Sequence, residues 1–167
     1  MRWAVAARRA ALGGTGEGLI DRELAGDRTS KGAQSAARAR AAIPTSVAKE
    51  AAWRAATEPG GRSTPVLEAV VAGFADETCP TDLLTPYRSR YAEQIVDTWA
   101  DRSPAEAPVL ARGLFPEVAG STVSMADGLL ARSDLPAGLR RILAERRADT
   151  VLALQCQERS RRPVAES

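Results

Sequence analysis

In almost every stretch of this chain the apolar residues return three or four positions later. Val66, Leu67, Val70, Val71 and Phe74 stand at i, i+1, i+4, i+5 and i+8, the widest apolar stripe in the sequence. Tyr87, Tyr91, Ile95 and Trp99 stand at strict i+4 steps, and Leu139, Ile142 and Leu143 repeat the pattern near the end. This is the period of one helix face. A half-buried strand would alternate at every second residue, and no stretch sustains that. Abundant alanine and few β-branched runs push the same way. The expected fold class is all-α.

Punctuation between the stripes sets the helices. Arg2 to Leu12 is a first short helix. "LGGTGEG", Leu12 to Gly18, reads as an inter-helix connection, because neither a preceding strand nor GK[ST] marks it as a phosphate loop. Leu19, Ile20 and Leu24 give a second helix. Thr29 and Ser30 cap a third, to about Ala42, whose Ala, Ser and Arg content makes its buried side small. Pro44 breaks it. Thr45 caps a fourth, with Val47, Ala51 and Ala55 expected inward and Trp53 beside them. After a turn at Glu58 to Ser63, Thr64 is expected to cap the next helix, with Pro65 at its first position.

The following helix runs from about Asp82 to Asp101, its regular part starting at Pro86. Ser103-Pro104-Ala105-Glu106 reads as a capping box, with Pro108 in conflict unless that helix begins at Ala107. Ser121 is expected to cap a helix with Val123, Ala126, Leu129 and Leu130 inward. Pro136 opens the last, with Leu139, Ile142, Leu143, Val151, Leu152 and Leu154 as its core side and a bend at Arg146 and Arg147.

Eight or so antiparallel helices with short loops make a bundle or a solenoid. Trp53 and Trp99 lie 46 residues apart, within the roughly 40–47-residue period of HEAT-type repeats. The expectation is a HEAT-like helical-repeat domain over residues 1–158 and a basic, disordered tail over 159–167.

There is no histidine. Ser-His-Asp and Cys-His arrangements, HExxH and every imidazole-ligated metal site are therefore excluded within this chain. No catalytic and no metal residue is expected. Cys79 and Cys156 are far apart, without CxxC spacing, and read as free thiols in a reducing cytoplasm. Arg8 and Arg9 interrupt the N-terminal apolar run, and no run nears the roughly 20 residues of a membrane span. A soluble, cytoplasmic chain with no membrane contact is expected.

Net charge is +2, with both signs spread along the chain. A basic cluster, Arg140, Arg141, Arg146, Arg147, Arg159, Arg161 and Arg162, is interleaved with Glu145, Asp149 and Glu158. That reads as a solvated helix face rather than a nucleic-acid surface. "YRSRYAEQIVDTWADRS", Tyr87 to Ser103, raises the same choice between gripping and packing. Its charges cancel, so the stripe is expected to be buried, with each tyrosine hydroxyl and the indole N–H needing a partner. Arg88 and Arg90 are the candidates for pairing with a peptide carboxylate, since guanidinium suits that geometry. Exposed helix charges are the simpler account of both.

Five fragments follow in one order: "RWAVAARRAALG", "LIDRELAGDRTSKGAQSAARARAAIPTSVAKEAAW", "LLTPYRSRYAEQIVDTWADRS", "GLFPEV" and "LPAGLRRILAERRADTVLALQ". Together, over about Arg2 to Leu154, they resemble the ERAP1-like C-terminal helical domain of M1-family zinc aminopeptidases N from high-GC bacteria. The resemblance implies an all-α, HEAT-like domain that packs on a catalytic domain, closes the peptide-trimming chamber and contributes substrate access and peptide contacts. It implies zinc only in full-length members, because the family's GAMEN and HExxH motifs lie upstream and neither occurs here. The match starts partway through the domain, so an exposed apolar end is expected to self-associate or to bind the catalytic part of a peptidase. A free-standing interaction scaffold is the alternative reading. A nucleic-acid binder using the C-terminal arginines is a third, disfavoured by the interleaved acids.

Overall fold

The helical spacing resolves into ten helices and no strand among the residues that the structure, a computed structural model, describes: 2–13, 16–58, 62–116 and 118–161. They are α1 (Arg2–Ala11), α2 (Gly16–Gly26), α3 (Ser30–Ala42), α4 (Ser46–Thr57), α5 (Thr64–Phe74), α6 (Thr81–Leu84), α7 (Pro86–Asp101), α8 (Glu106–Gly113), α9 (Gly120–Leu130) and α10 (Ala137–Arg161). The chain alternates between two layers. α1, α3, α5, α8 and α10 pack side by side in one; α2, α4, α7 and α9 lie against it as the other, with α6 as a single linking turn. The result is an all-α, repeat-like stack of helix pairs.

Small residues let the first layer close up. A Cβ on Gly73 would fall 2.2 Å from the Arg38 carbonyl oxygen, so α5 lies directly on the α3 backbone. A Cβ on Gly113 would meet Val71 Cγ1 at 1.9 Å, which brings α8 equally close to α5. The main core joins Trp53 of α4, Leu67, Val70, Val71 and Phe74 of α5, Tyr87, Tyr91 and Ile95 of α7, and the apolar sides of α8 to α10. A second, smaller cluster of Ala10, Ile20, Ala36 and Ala39 holds α1 and α2 on α3.

The caps at the starts of α3 and α4 fall where the hydroxyls predict. Thr29 Oγ1 accepts the Gly32 N–H at 3.1 Å and Thr45 Oγ1 accepts the Ala48 N–H at 3.2 Å. The Ser103–Glu106 box forms reciprocally at 3.3 and 3.4 Å. α8 is regular from Glu106, so Pro108 falls in its first turn, where a missing N–H leaves no bond unmade.

Other expectations shift. Ser63, not Thr64, precedes α5, and α9 starts at Gly120, so Ser121 lies inside it rather than capping it. On α4 the inward side is Lys49, Ala52, Trp53 and Ala56, while Val47 is 79% exposed. Trp53 and Lys49 set that rotation; an apolar-only stripe cannot include a lysine. α10 is one continuous helix through Arg146 and Arg147. Both arginines find partners without breaking it: Arg146 lies 5.3 Å over the Phe115 ring, and Arg147 pairs with Asp127. Leu139, Ile142 and Leu143 are buried as expected, but Leu152 is 60% exposed, and Val151 and Leu154 are half-buried, because α8 and α9 cover only the first part of α10. Helix continues through Arg161; residues 162–167 lie outside the described residues.

Candidate functional site

A cleft of about 480 Å³ opens where the C-terminal end of α5 and the following turn face the α8–α9 connection and α10. Phe74, Tyr87, Leu114 and Phe115 form its buried walls. Their rings interlock: Phe74 and Tyr87 meet edge-to-face at 5.0 Å, and Trp53 packs behind both at 5.7 and 5.1 Å. Asp76, Glu77 and Asp149 stand around it with a single arginine, Arg146, whose guanidinium is 3.7 Å from Asp149. The Asp76 turn is fixed by its own carboxylate, which accepts the Thr78 hydroxyl at 2.6 Å and the Thr78 N–H at 3.0 Å. Burial works to raise the pKa of Asp76, but the two Thr78 bonds, with Arg38 and Lys49 nearby, outweigh it and hold the carboxyl below its ordinary range.

Directly behind this turn is Lys49, fully buried. Its ammonium donates to the carbonyls of Ala41 at 2.8 Å, Phe74 at 3.0 Å and Gly73 at 3.3 Å. These oxygens belong to the last turns of α3 and α5, where helix carbonyls run out of intrahelical partners and the backbone dipoles leave partial negative charge; that of Gly73 also accepts the Asp76 N–H at 3.3 Å. One side chain thus fastens two adjacent helix ends with all three of its donors. Burial pulls the lysine's pKa down, partly opposed by Cys79 and Asp76. Burial pushes the Cys79 thiol up. Cys79 and Cys156 are both free.

The arginines singled out from the sequence do not converge. Arg90 crosses from α7 to Glu50 of α4, which Arg54 also binds, and it lies 5.4 Å over the Tyr87 ring. Arg88 is half-buried, two positions away and on a different side of the helix. The aromatic stripe packs inward as the spacing predicts. Tyr91 donates to the Ala111 carbonyl at 2.7 Å, its pKa pushed up by burial, while Tyr87 reaches Glu50 at 3.4 Å. Arg140 and Arg141 of the C-terminal cluster are engaged too. Arg140 donates to the carbonyls of Leu130 and Arg132, closing the end of α9, and Arg141 and Arg112 share Glu145. Lys49 escaped the sequence reading because a lysine among alanines looks like a solvated charge. Its register with Ala52, Trp53 and Ala56 is the signal that marks its side of the helix.

Among the described residues no group of three or more His, Cys, Asp or Glu is placed to hold a metal ion, and no helix is long and apolar enough to cross a membrane. With no histidine in the sequence, the side chains present do not fit a zinc site. No protein-family model matches the chain. It is 40% identical over 159 residues, 94% of its length, to the aminopeptidase N of Streptomyces lividans. The matched stretch is 18% of that protein, so the chain spans less than a fifth of the relative's length.

Proposed function

We propose that the chain is a non-catalytic, C-terminal helical domain of an M1-type aminopeptidase N, of the ERAP1-like, HEAT-like kind, acting in the cytoplasm. In this reading it closes a peptide chamber whose zinc chemistry is supplied by a separate catalytic part. The observation that carries it is the 40% identity over 94% of the chain to an aminopeptidase N. The stacked helix pairs support it, and a sequence without histidine supplies no imidazole ligand for zinc. Val5 and Leu12, 57% and 63% exposed beside the small α1–α2 cluster, give the domain an apolar end that can meet the rest of a peptidase or a second copy.

The test is assembly in trans. An aminopeptidase N lacking the matching segment is mixed with this chain, and hydrolysis of an aminoacyl chromogenic substrate is followed. The expected result is a stable complex with restored turnover and none from the chain alone. Turnover by the isolated chain, or a truncated peptidase that neither binds it nor responds to it, overturns the reading.

A further inference from the structure

We infer that α10 pairs with α10 of a second copy of this chain, antiparallel, along the outer face of its last turns. The inference does not rest on the reading above. α1 and α10 stand at opposite ends of the stacked layer, and the apolar residues named for contact with a peptidase lie at the α1 end. α10 has 25 residues, yet α8 and α9 cover only its first part. From residue 151 to residue 161 no side chain of the helix is buried.

What this open face carries is ordered. Asp149, Leu152, Cys156 and Arg159 follow at steps of three, four and three, so they form one stripe. All four are exposed, Leu152 at 60% and the Asp149 side chain at 70%. The stripe reads acid, apolar, apolar, base. Reversed and laid on itself, it is complementary. With a two-fold axis level with residue 154, each Asp149 meets Arg159 of the other copy, and each Leu152 meets Cys156 of the other copy. That is the self-matching patch an isologous contact requires. A parallel pairing would set acid on acid and base on base. Both charges are available: Arg159 has no ion pair among the described residues, and Asp149 has only the long 3.7 Å contact to Arg146. The exposed stripe of α1 is no substitute, because Arg2, Val5 and Arg9 set one apolar residue between two arginines and offer Arg159 no acid. About three turns overlap, less than a standard interface of roughly 1,600 Å² needs, so the dimer is weak and concentration-dependent. Its apolar contacts carry the affinity, and its charges set the direction.

Sedimentation equilibrium of the full chain over a range of concentrations tests the pairing. The expected result is a reversible monomer–dimer equilibrium, weakened at least about tenfold by Leu152→Asp. Asp149→Arg and Arg159→Asp each set like charges together and are expected to weaken it about fivefold. The double variant Asp149→Arg, Arg159→Asp restores the pairs and should recover the parent's affinity. The three altered side chains are exposed, so melting temperatures should not change. Oxidation reads the direction. In the antiparallel pairing the two Cys156 residues are offset by about 6 Å along the axes, too far for an unstrained disulfide across two helices. Leu152→Cys sets a thiol level with Cys156 of the other copy, so this variant should yield a cross-linked dimer and the parent none, the linked peptides being identified by mass spectrometry. A chain that stays monomeric at every concentration overturns the inference. So does a dimer untouched by Leu152→Asp, which would put the contact elsewhere, as do single charge variants that the double one does not rescue, or a Cys156–Cys156 disulfide in the parent. None of these outcomes bears on assembly with a truncated peptidase, so the two readings fail separately.

Discussion

Replacing Lys49 by Met removes three N–H donors from the carbonyls of Ala41, Gly73 and Phe74 while keeping a stem of similar length. The Ala41 and Phe74 carbonyls then lack that donor, at about 1–3 kcal/mol each, while Gly73 keeps the Asp76 N–H at 3.3 Å; offset in part by no longer burying an ammonium, a net loss of about 1–4 kcal/mol is expected. Urea unfolding measures it; an unchanged midpoint would mean that water serves those carbonyls. A second residue-scale prediction concerns Glu50, which Arg90, and less strongly Arg54, holds below its ordinary pKa. A carboxyl depressed in the folded state adds stability above its unfolded pKa and loses it as pH falls through the folded one. The melting temperature of Glu50→Gln should therefore lie below that of the parent at neutral pH and converge with it in acid. A constant gap across pH would show that the ion pair contributes nothing through charge. Neither residue's role was legible in the sequence. Lys49 and Glu50 are neighbours of the same chemical character as any solvated helix pair, and only the approach of α3, α5 and α7 gives them partners.

The helices themselves were legible, because caps, prolines and i+4 spacing are local. Thr29, Thr45 and the Ser103–Glu106 box carry their starts in their own side chains. What was not legible is rotation and cover. α4 turns Val47 outward, since Lys49 and Trp53 fix its register, and α10 leaves Leu152 uncovered, since its last turns run past α8 and α9. Neither is a property of one helix. The closeness of α3 and α5 belongs to the pair as well, and it can be tested. Gly73→Ala places a methyl group 2.2 Å from the Arg38 carbonyl oxygen, a backbone atom that no rotamer change can move away. The helices must separate, at a cost of about 1–3 kcal/mol from overpacking, read as a lowered melting temperature. Gly18→Ala, where nothing lies within 4 Å, is the control and should not destabilise. Equal behaviour of the two variants would contradict the packing described.

Over the whole molecule the two clusters differ in kind. The main core is built from many large buried side chains, whereas α1 and α2 are held on α3 by alanines, one fully buried isoleucine, Ile20, and the partly buried Trp3, Leu24 and Ile43. The exposed ion pairs Arg2–Glu23 and Arg40–Asp21 add about 0–1 kcal/mol apiece. Amide hydrogens of α1 and α2 are therefore expected to exchange well before those of α5, as mass spectrometry of exchanged peptides would show. Equal protection would mean one cooperative unit. The same geometry gives the protein a built-in gauge. The chain has just two lysines; Lys31 is exposed on α3 and Lys49 is sealed beneath the α5 end. An amine-acylating reagent applied to the folded protein should mark Lys31 at once. A mark on Lys49 would then appear only as often as the α3–α5 seam opens, turning one mass increment into a count of those openings.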